Sequence, residues 1–203
     1  IPYKVDNVRI QYLAENNSNG YSTGIDLKIN GEFVPGVESW ASLSIMKTME
    51  DIEGDFYFDE ETEETIYPGF IPRPTDQRVK FSLFFQDYLP GNPNYKMHLS
   101  LMYGTGLPFG PPNSEKYKDI LKMPDYRRVD IGFSAVIKSE GKKSNFKMLN
   151  RIKSMWISTE VFNLLDIDNT VSYLWVSDVG GRQYAVPNYL TPRQINFKCI
   201  IGI

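Results

Sequence analysis

The densest chemistry in the chain lies at residues 50–64. Nine carboxylates (Glu50, Asp51, Glu53, Asp55, Asp59, Glu60, Glu61, Glu63, Glu64) stand there without a Lys or Arg. Oxygen donors at that density can hold a hard cation or a cationic ligand. Like charges in one run also repel, and the plainer reading is a solvated acidic loop tip. Asp166-Ile167-Asp168-Asn169-Thr170 opens like a calcium loop but carries Val171 where that loop needs Gly and Ser177 where it needs Glu. Gly104-Thr105-Gly106-Leu107-Pro108-Phe109-Gly110 has the glycines of a phosphate loop, yet Pro108, Pro111 and Pro112 forbid the helix that must follow. His98 and Cys199 are the sole residues of their kinds. Paired-histidine metal sites, multi-cysteine zinc motifs and disulfides are therefore excluded, and no base accompanies a Ser or Cys nucleophile. Lys138, Lys142, Lys143, Lys147, Arg151 and Lys153 crowd one stretch. Only Phe146 and Trp156 are near enough to stack a base, so a basic turn explains the stretch better than a nucleic-acid patch. Enzymatic chemistry, a bound cofactor and a resident metal are not expected.

The elements that must position these residues are strands. The 203 residues carry 22 Lys+Arg against 25 Asp+Glu, and 28 aromatics (13 Tyr, 12 Phe, 3 Trp). A net charge of −3 argues against a nucleic-acid partner. No apolar run exceeds the four residues Tyr173–Val176, which excludes a membrane-crossing helix but not membrane-crossing strands. Period-two alternation is pervasive. Ile25, Leu27 and Ile29 alternate with Asp26, Lys28 and Asn30; Phe81 and Leu83 with Lys80 and Ser82; Leu99 and Leu101 with His98 and Ser100. Ile131 and Phe133 do the same against Asp130 and Ser134, and Ile195, Phe197 and Cys199 against Asn196 and Lys198. One face of each ribbon is apolar and the other ionic, a pattern no helix reproduces. Val8, Ile10 and Tyr12 opposite Arg9 and Gln11 add a further ribbon.

The pattern predicts eight strands, over 4–15, 20–33, 37–49, 76–88, 94–104, 126–138, 151–164 and 192–203. Most exceed the ~9–11 residues of a tilted transmembrane strand and the ~5–6 usual in soluble sheets. After the second strand, short links (34–36, 89–93, 139–150) alternate with long ones (50–75, 105–125, 165–191). Outer-membrane barrels alternate in this way, with tight periplasmic turns on one rim and large extracellular loops on the other. Tyr12, Tyr21, Phe33, Tyr95, Tyr103, Tyr126 and Trp156 fall near strand ends, where interfacial aromatic girdles lie.

Three stretches carry a family resemblance: Tyr126-Arg127-Arg128-Val129-Asp130-Ile131-Gly132, Val161-Phe162-Asn163-Leu164-Leu165-Asp166, and Val186-Pro187-Asn188-Tyr189-Leu190-Thr191-Pro192-Arg193-Gln194-Ile195-Asn196. They are similar to the C-terminal strands of TonB-dependent outer-membrane receptors, of the kind abundant in Bacteroidetes. The resemblance covers roughly residues 70–203. It implies an all-β fold in which 1–203 is the C-terminal portion of one transmembrane barrel of 22 strands around a plug. It further implies outer-membrane lipid around the wall and coupling to the TonB system through an upstream plug. The function implied is uptake of a scarce nutrient, such as an iron–siderophore or a glycan, into the periplasm. The chain opens on Ile1-Pro2-Tyr3-Lys4, with neither an initiator Met nor a leader pattern, and is expected to continue a longer polypeptide. It departs from the family in closing on Ile203, with Phe197 its last aromatic residue.

Within the long loops, Tyr57, Phe109, Tyr117, Tyr173, Trp175 and Tyr184 are the candidate ligand contacts. The rival expectation is a soluble eight-stranded ligand-binding or adhesion barrel, with Leu27, Phe81, Leu99 and Phe133 gathered in a dry centre.

Overall fold

A computed structural model describes residues 2–4 and 10–12 as backbone, and residues 16–111, 120–141 and 151–203 with side chains. Arg9, Tyr117, Lys142, Lys143, Phe146 and Lys147 lie outside the described residues.

Seven of the eight expected strands form one antiparallel sheet. They are β3 (Ser18–Val34), β4 (Val37–Ile52), β8 (Val79–Leu89), β9 (Asn92–Gly104), β12 (Tyr126–Lys138), β13 (Ser154–Phe162) and β16 (Gln194–Gly202), each hydrogen-bonded to the next in chain order. The expectation of a single strand over 4–15 is corrected. Its described parts, β1 (Pro2–Lys4) and β2 (Ile10–Tyr12), pair antiparallel with one another and join no other sheet. Asp6 and Asn7, both turn formers, stand between them in sequence.

The sheet turns tightly on one rim. Val34-Pro35-Gly36-Val37 and Leu89-Pro90-Gly91-Asn92 repeat the pattern of a type II turn, with Pro setting the first φ and Gly taking φ +84 and +78. On the opposite rim the long connections are not featureless. The first holds β5 (Tyr57–Asp59), β6 (Glu64–Ile66) and β7 (Ile71–Pro72); the second holds β10 (Pro108–Phe109) and β11 (Leu121–Lys122); the third holds β14 (Thr170–Ser177) and β15 (Gln183–Tyr189). β5–β6, β10–β11 and β14–β15 are two-stranded ladders, and β7 folds back onto β4.

Register makes the alternation a property of the whole sheet. One row runs Ile29, Ala41, Leu83, Leu101, Val129, and another runs Phe85, Leu99, Ile131, Val161, Ile195. Because pleating sends alternate residues to opposite faces, these rows share one face. The other face carries rows such as Gln86, His98, Gly132, Glu160, Asn196. Cys199 falls on the apolar face opposite Ile157. Two expected girdle aromatics do not: Tyr126 shares its strand face with Arg128, and Trp156 lines a hollow on the polar side with Tyr88, Lys96 and Ser134.

No dry core fills either side. Among the described residues the buried apolar ones are Val37, Met49 and Ile71, whereas nine polar or charged ones are buried, among them Asp76, Asp130, Asn163 and Asn169. Leu27 is 58% exposed and Phe133 43%, so the dry centre of the soluble reading is not formed. Nor does the sheet close among the described residues, where β3 and β16 are edges, each bonded on one side only.

Candidate functional site

The long-loop rim holds the side chains that sequence singled out, and a buried polar network sets its geometry. Asp130 points from the polar face of β12. Its carboxylate accepts Arg128 Nε at 2.8 Å and the Asn163 N–H at 2.8 Å. Asn163 takes φ +51, a left-handed conformation that Asn tolerates because its short amide bonds locally. Here that amide closes on Ile167, donating Nδ2–H to its carbonyl at 3.0 Å and accepting its N–H at 3.2 Å. Asn169 then clasps Arg127 across the strand boundary, accepting its N–H at 2.8 Å and donating to its carbonyl at 2.8 Å. The far end is tied as well, since Arg193 N–H meets Asp166 Oδ1 at 2.9 Å and Leu190 N–H meets the Asn169 carbonyl at 2.8 Å. The three stretches that carry the family resemblance are thus the stretches this network joins.

A second clamp fixes the middle loop. Asp125 accepts the Gly106 N–H at 3.0 Å and the Tyr103 hydroxyl at 2.9 Å. The Gly106 amide first, and then the Tyr103 hydroxyl, hold its carboxyl below the ordinary carboxylate range. Gly106 is required for close approach, because a Cβ there would stand 1.6 Å from the Met123 carbonyl oxygen.

On these supports three of the six candidate ligand contacts come together. Phe109 of β10 stacks on Tyr173 of β14 with ring centroids 4.4 Å apart and planes 8° from parallel, and Trp175 lies 6.3 Å from Phe109 at 38°. Tyr173 and Trp175 share one face of the β14–β15 ladder because they are two residues apart, and their cross-strand neighbours are Pro187 and Ala185. Small side chains opposite leave the rings room to receive Phe109 from the neighbouring loop. Tyr184 does not join them. It pairs with Val176 on the other face, and its hydroxyl meets Asp178 Oδ2 at 3.3 Å. Tyr57 belongs to the separate β5–β6 ladder, opposite Ile66, and Tyr117 lies outside the described residues.

The acidic loop is anchored at its return. Asp76, 4% exposed, accepts the Thr48 N–H at 2.7 Å and Arg78 Nε at 2.6 Å, while Arg73 pairs with Glu50 at 3.3 Å. Asp55 is also buried, and burial, reinforced by the charge of Asp51, pushes its carboxyl above the ordinary range. On the polar face the His98 ring packs against its neighbours, meeting Phe84 at 5.7 Å and occupying the space a Cβ on Gly132 would need. Phe84 in turn stacks on Trp40 at 6.3 Å.

The sequence missed the structural residues of this rim, Asp130, Asn163 and Asn169, as a connected set. The β14–β15 ladder had a legible signal: an apolar, aromatic-rich run, then Asp178-Val179-Gly180-Gly181, then a second run. Among the described residues no three His, Cys, Asp or Glu side chains converge as a metal cluster. Compared with known protein families, with curated proteins and with solved structures, the chain matches none.

Proposed function

We propose that this chain is a stretch of the wall of an outer-membrane β-barrel, of the 22-stranded class, in a TonB-dependent receptor that imports a scarce nutrient. The observation that carries the reading is the exposed apolar face, continuous across seven hydrogen-bonded strands, backed by an ionic face. A water-soluble sheet of this width would cover such a face with helices or a second sheet. Acyl chains are the cover that asks for no further protein. Dimensions agree: 13 residues of β12 at about 3.3 Å each, tilted about 40°, project to roughly 33 Å, enough to cross a ~25 Å apolar band. The rim asymmetry is the second support, with Pro-Gly turns on the periplasmic side and laddered loops outside.

In this reading the polar face lines the bore and meets an upstream plug. The Phe109–Tyr173–Trp175 cluster, held by Asp125 and Asn169, is the first surface an arriving ligand meets. Energy delivered through TonB moves the plug, and this part of the protein does no covalent chemistry. The test is fractionation of native cells. The full protein is expected in the detergent-solubilised outer membrane, and recovery in the aqueous fraction would overturn the assignment.

A further inference from the structure

Two buried acceptor atoms at the root of the acidic loop, Asp55 Oδ2 and Asn17 Oδ1, find no donor among the described residues. They belong to one turn. Ser18 pairs with Ile52 as the last rung of the β3–β4 ladder, Glu53 N–H bonds the Asn17 carbonyl at 2.8 Å, and Asp55 N–H bonds the Ile52 carbonyl at 3.2 Å across Gly54. Asp51 lies one residue before that last rung, opposite Asn19. Asp55 is 8% exposed, so water does not freely solvate its carboxylate. The carboxylate's own backbone N–H offsets only part of the cost of burial, and a buried oxygen left without a donor is costly. No Lys or Arg occurs between residues 50 and 64. The two arginines on the returning strand are already committed, Arg73 to Glu50 and Arg78 to Asp76.

We propose that Asp55 and Asn17, with Asp51, bind a hard divalent cation of the calcium class at the base of this loop. The cation supplies the positive charge both orphaned oxygens require, and oxygen donors from a carboxylate, an amide and waters match its coordination. With only two carboxylates the site belongs to the weak extracellular kind, with a dissociation constant of about 10⁻⁴–10⁻³ M. The four carboxylates Glu60, Glu61, Glu63 and Glu64 lie beyond the turn and take no part. The inference is independent of the membrane assignment, because it concerns a turn that is present in any setting.

The test is Tb3+ luminescence of the full chain in detergent, with Ca2+ as competitor. Saturable emission displaced by Ca2+ is expected, with affinity lowered at least tenfold in Asp55→Asn and in Asn17→Ala. A variant with Glu60, Glu61, Glu63 and Glu64 changed to Gln is expected to bind as the wild type does. If Asp55→Asn fails to fold, Asn17→Ala and the tip variant decide. Absence of saturable binding would overturn the proposal and point to an Asn17 amide turned to donate Nδ2–H to Asp55. So would full binding by both root variants, or loss of binding only in the tip variant.

Discussion

Single side chains at the loop rim act mainly by satisfying backbone. Asp125 illustrates the sign of that effect. Its carboxyl is held below its ordinary value of 3.8 by the Gly106 amide and the Tyr103 hydroxyl. A depressed carboxylate contributes fully above the unfolded value, and the contribution is lost as pH falls through the folded value. Protection of the Gly106 and Met123 amides, taken relative to the intrinsic exchange rate at each pH, is therefore expected to fall below about pH 4, the ordinary titration range. In Asp125→Asn that protection is expected to be low already at neutral pH and to show no such acid step. Protection that stays constant in the wild type across this range would refute the role given to Asp125. Tyr103 and Gly106 could not be paired with Asp125 from sequence, since 22 and 19 residues of chain separate them. The glycine alone was visible in the sequence, as one of three in a short Gly-rich stretch.

At the scale of elements, the third long loop behaves as a ladder riveted at both feet. Asn169 is the principal rivet, filling both the N–H and the carbonyl of Arg127 at the opening of β12. Asn169→Ala leaves both groups without their partner, and a buried orphan costs about 1–3 kcal/mol. The expected result is a local opening of residues 163–193, read as faster amide exchange and earlier proteolysis in that loop, with the β8–β9 pair unaffected. Asn169→Asp, which keeps the acceptor and loses the donor, is expected to fall between. Uniform destabilisation across the sheet would mean that the loop does not open as a unit. The aromatic cluster depends on the same rivet, because Tyr173 and Trp175 ride on the ladder it holds. Candidate contacts were legible here as residue types, exposed rings in long loops. Their grouping was not, and Tyr184 shows why: one step along a strand reverses the face, and cross-strand register decides which face meets Phe109.

For the whole molecule the proposed membrane assignment turns on which face would meet lipid. Leu99 and Ser100 are adjacent in the middle of β9 and point to opposite faces. Leu99→Arg is expected to cost about 2–4 kcal/mol of folding free energy in a lipid bilayer, the penalty for Arg at a membrane midplane. Ser100→Arg, facing the wet side, is expected to be close to neutral. Measured by refolding into vesicles, equal effects of the two would end the membrane reading. An apolar face that is open on the outside, with polar residues supplying most of the buried positions, is the inverse of a soluble sheet.

What the amino-acid order settled by itself was everything governed by local periodicity. Alternation in steps of two produced seven strands close to their observed bounds and sorted their side chains onto two faces. Pro-Gly pairs set the tight turns, and the spacing of strands set the rims. It failed over 4–15, where alternation persists but the described segments pair with each other. What tertiary structure alone decided was partnership across distance: Asn169 on Arg127, Phe109 on Tyr173, Asp125 on Gly106. Such pairs depend on which strands lie side by side and in which register. No local pattern encodes a contact made between loops that only a completed sheet brings together.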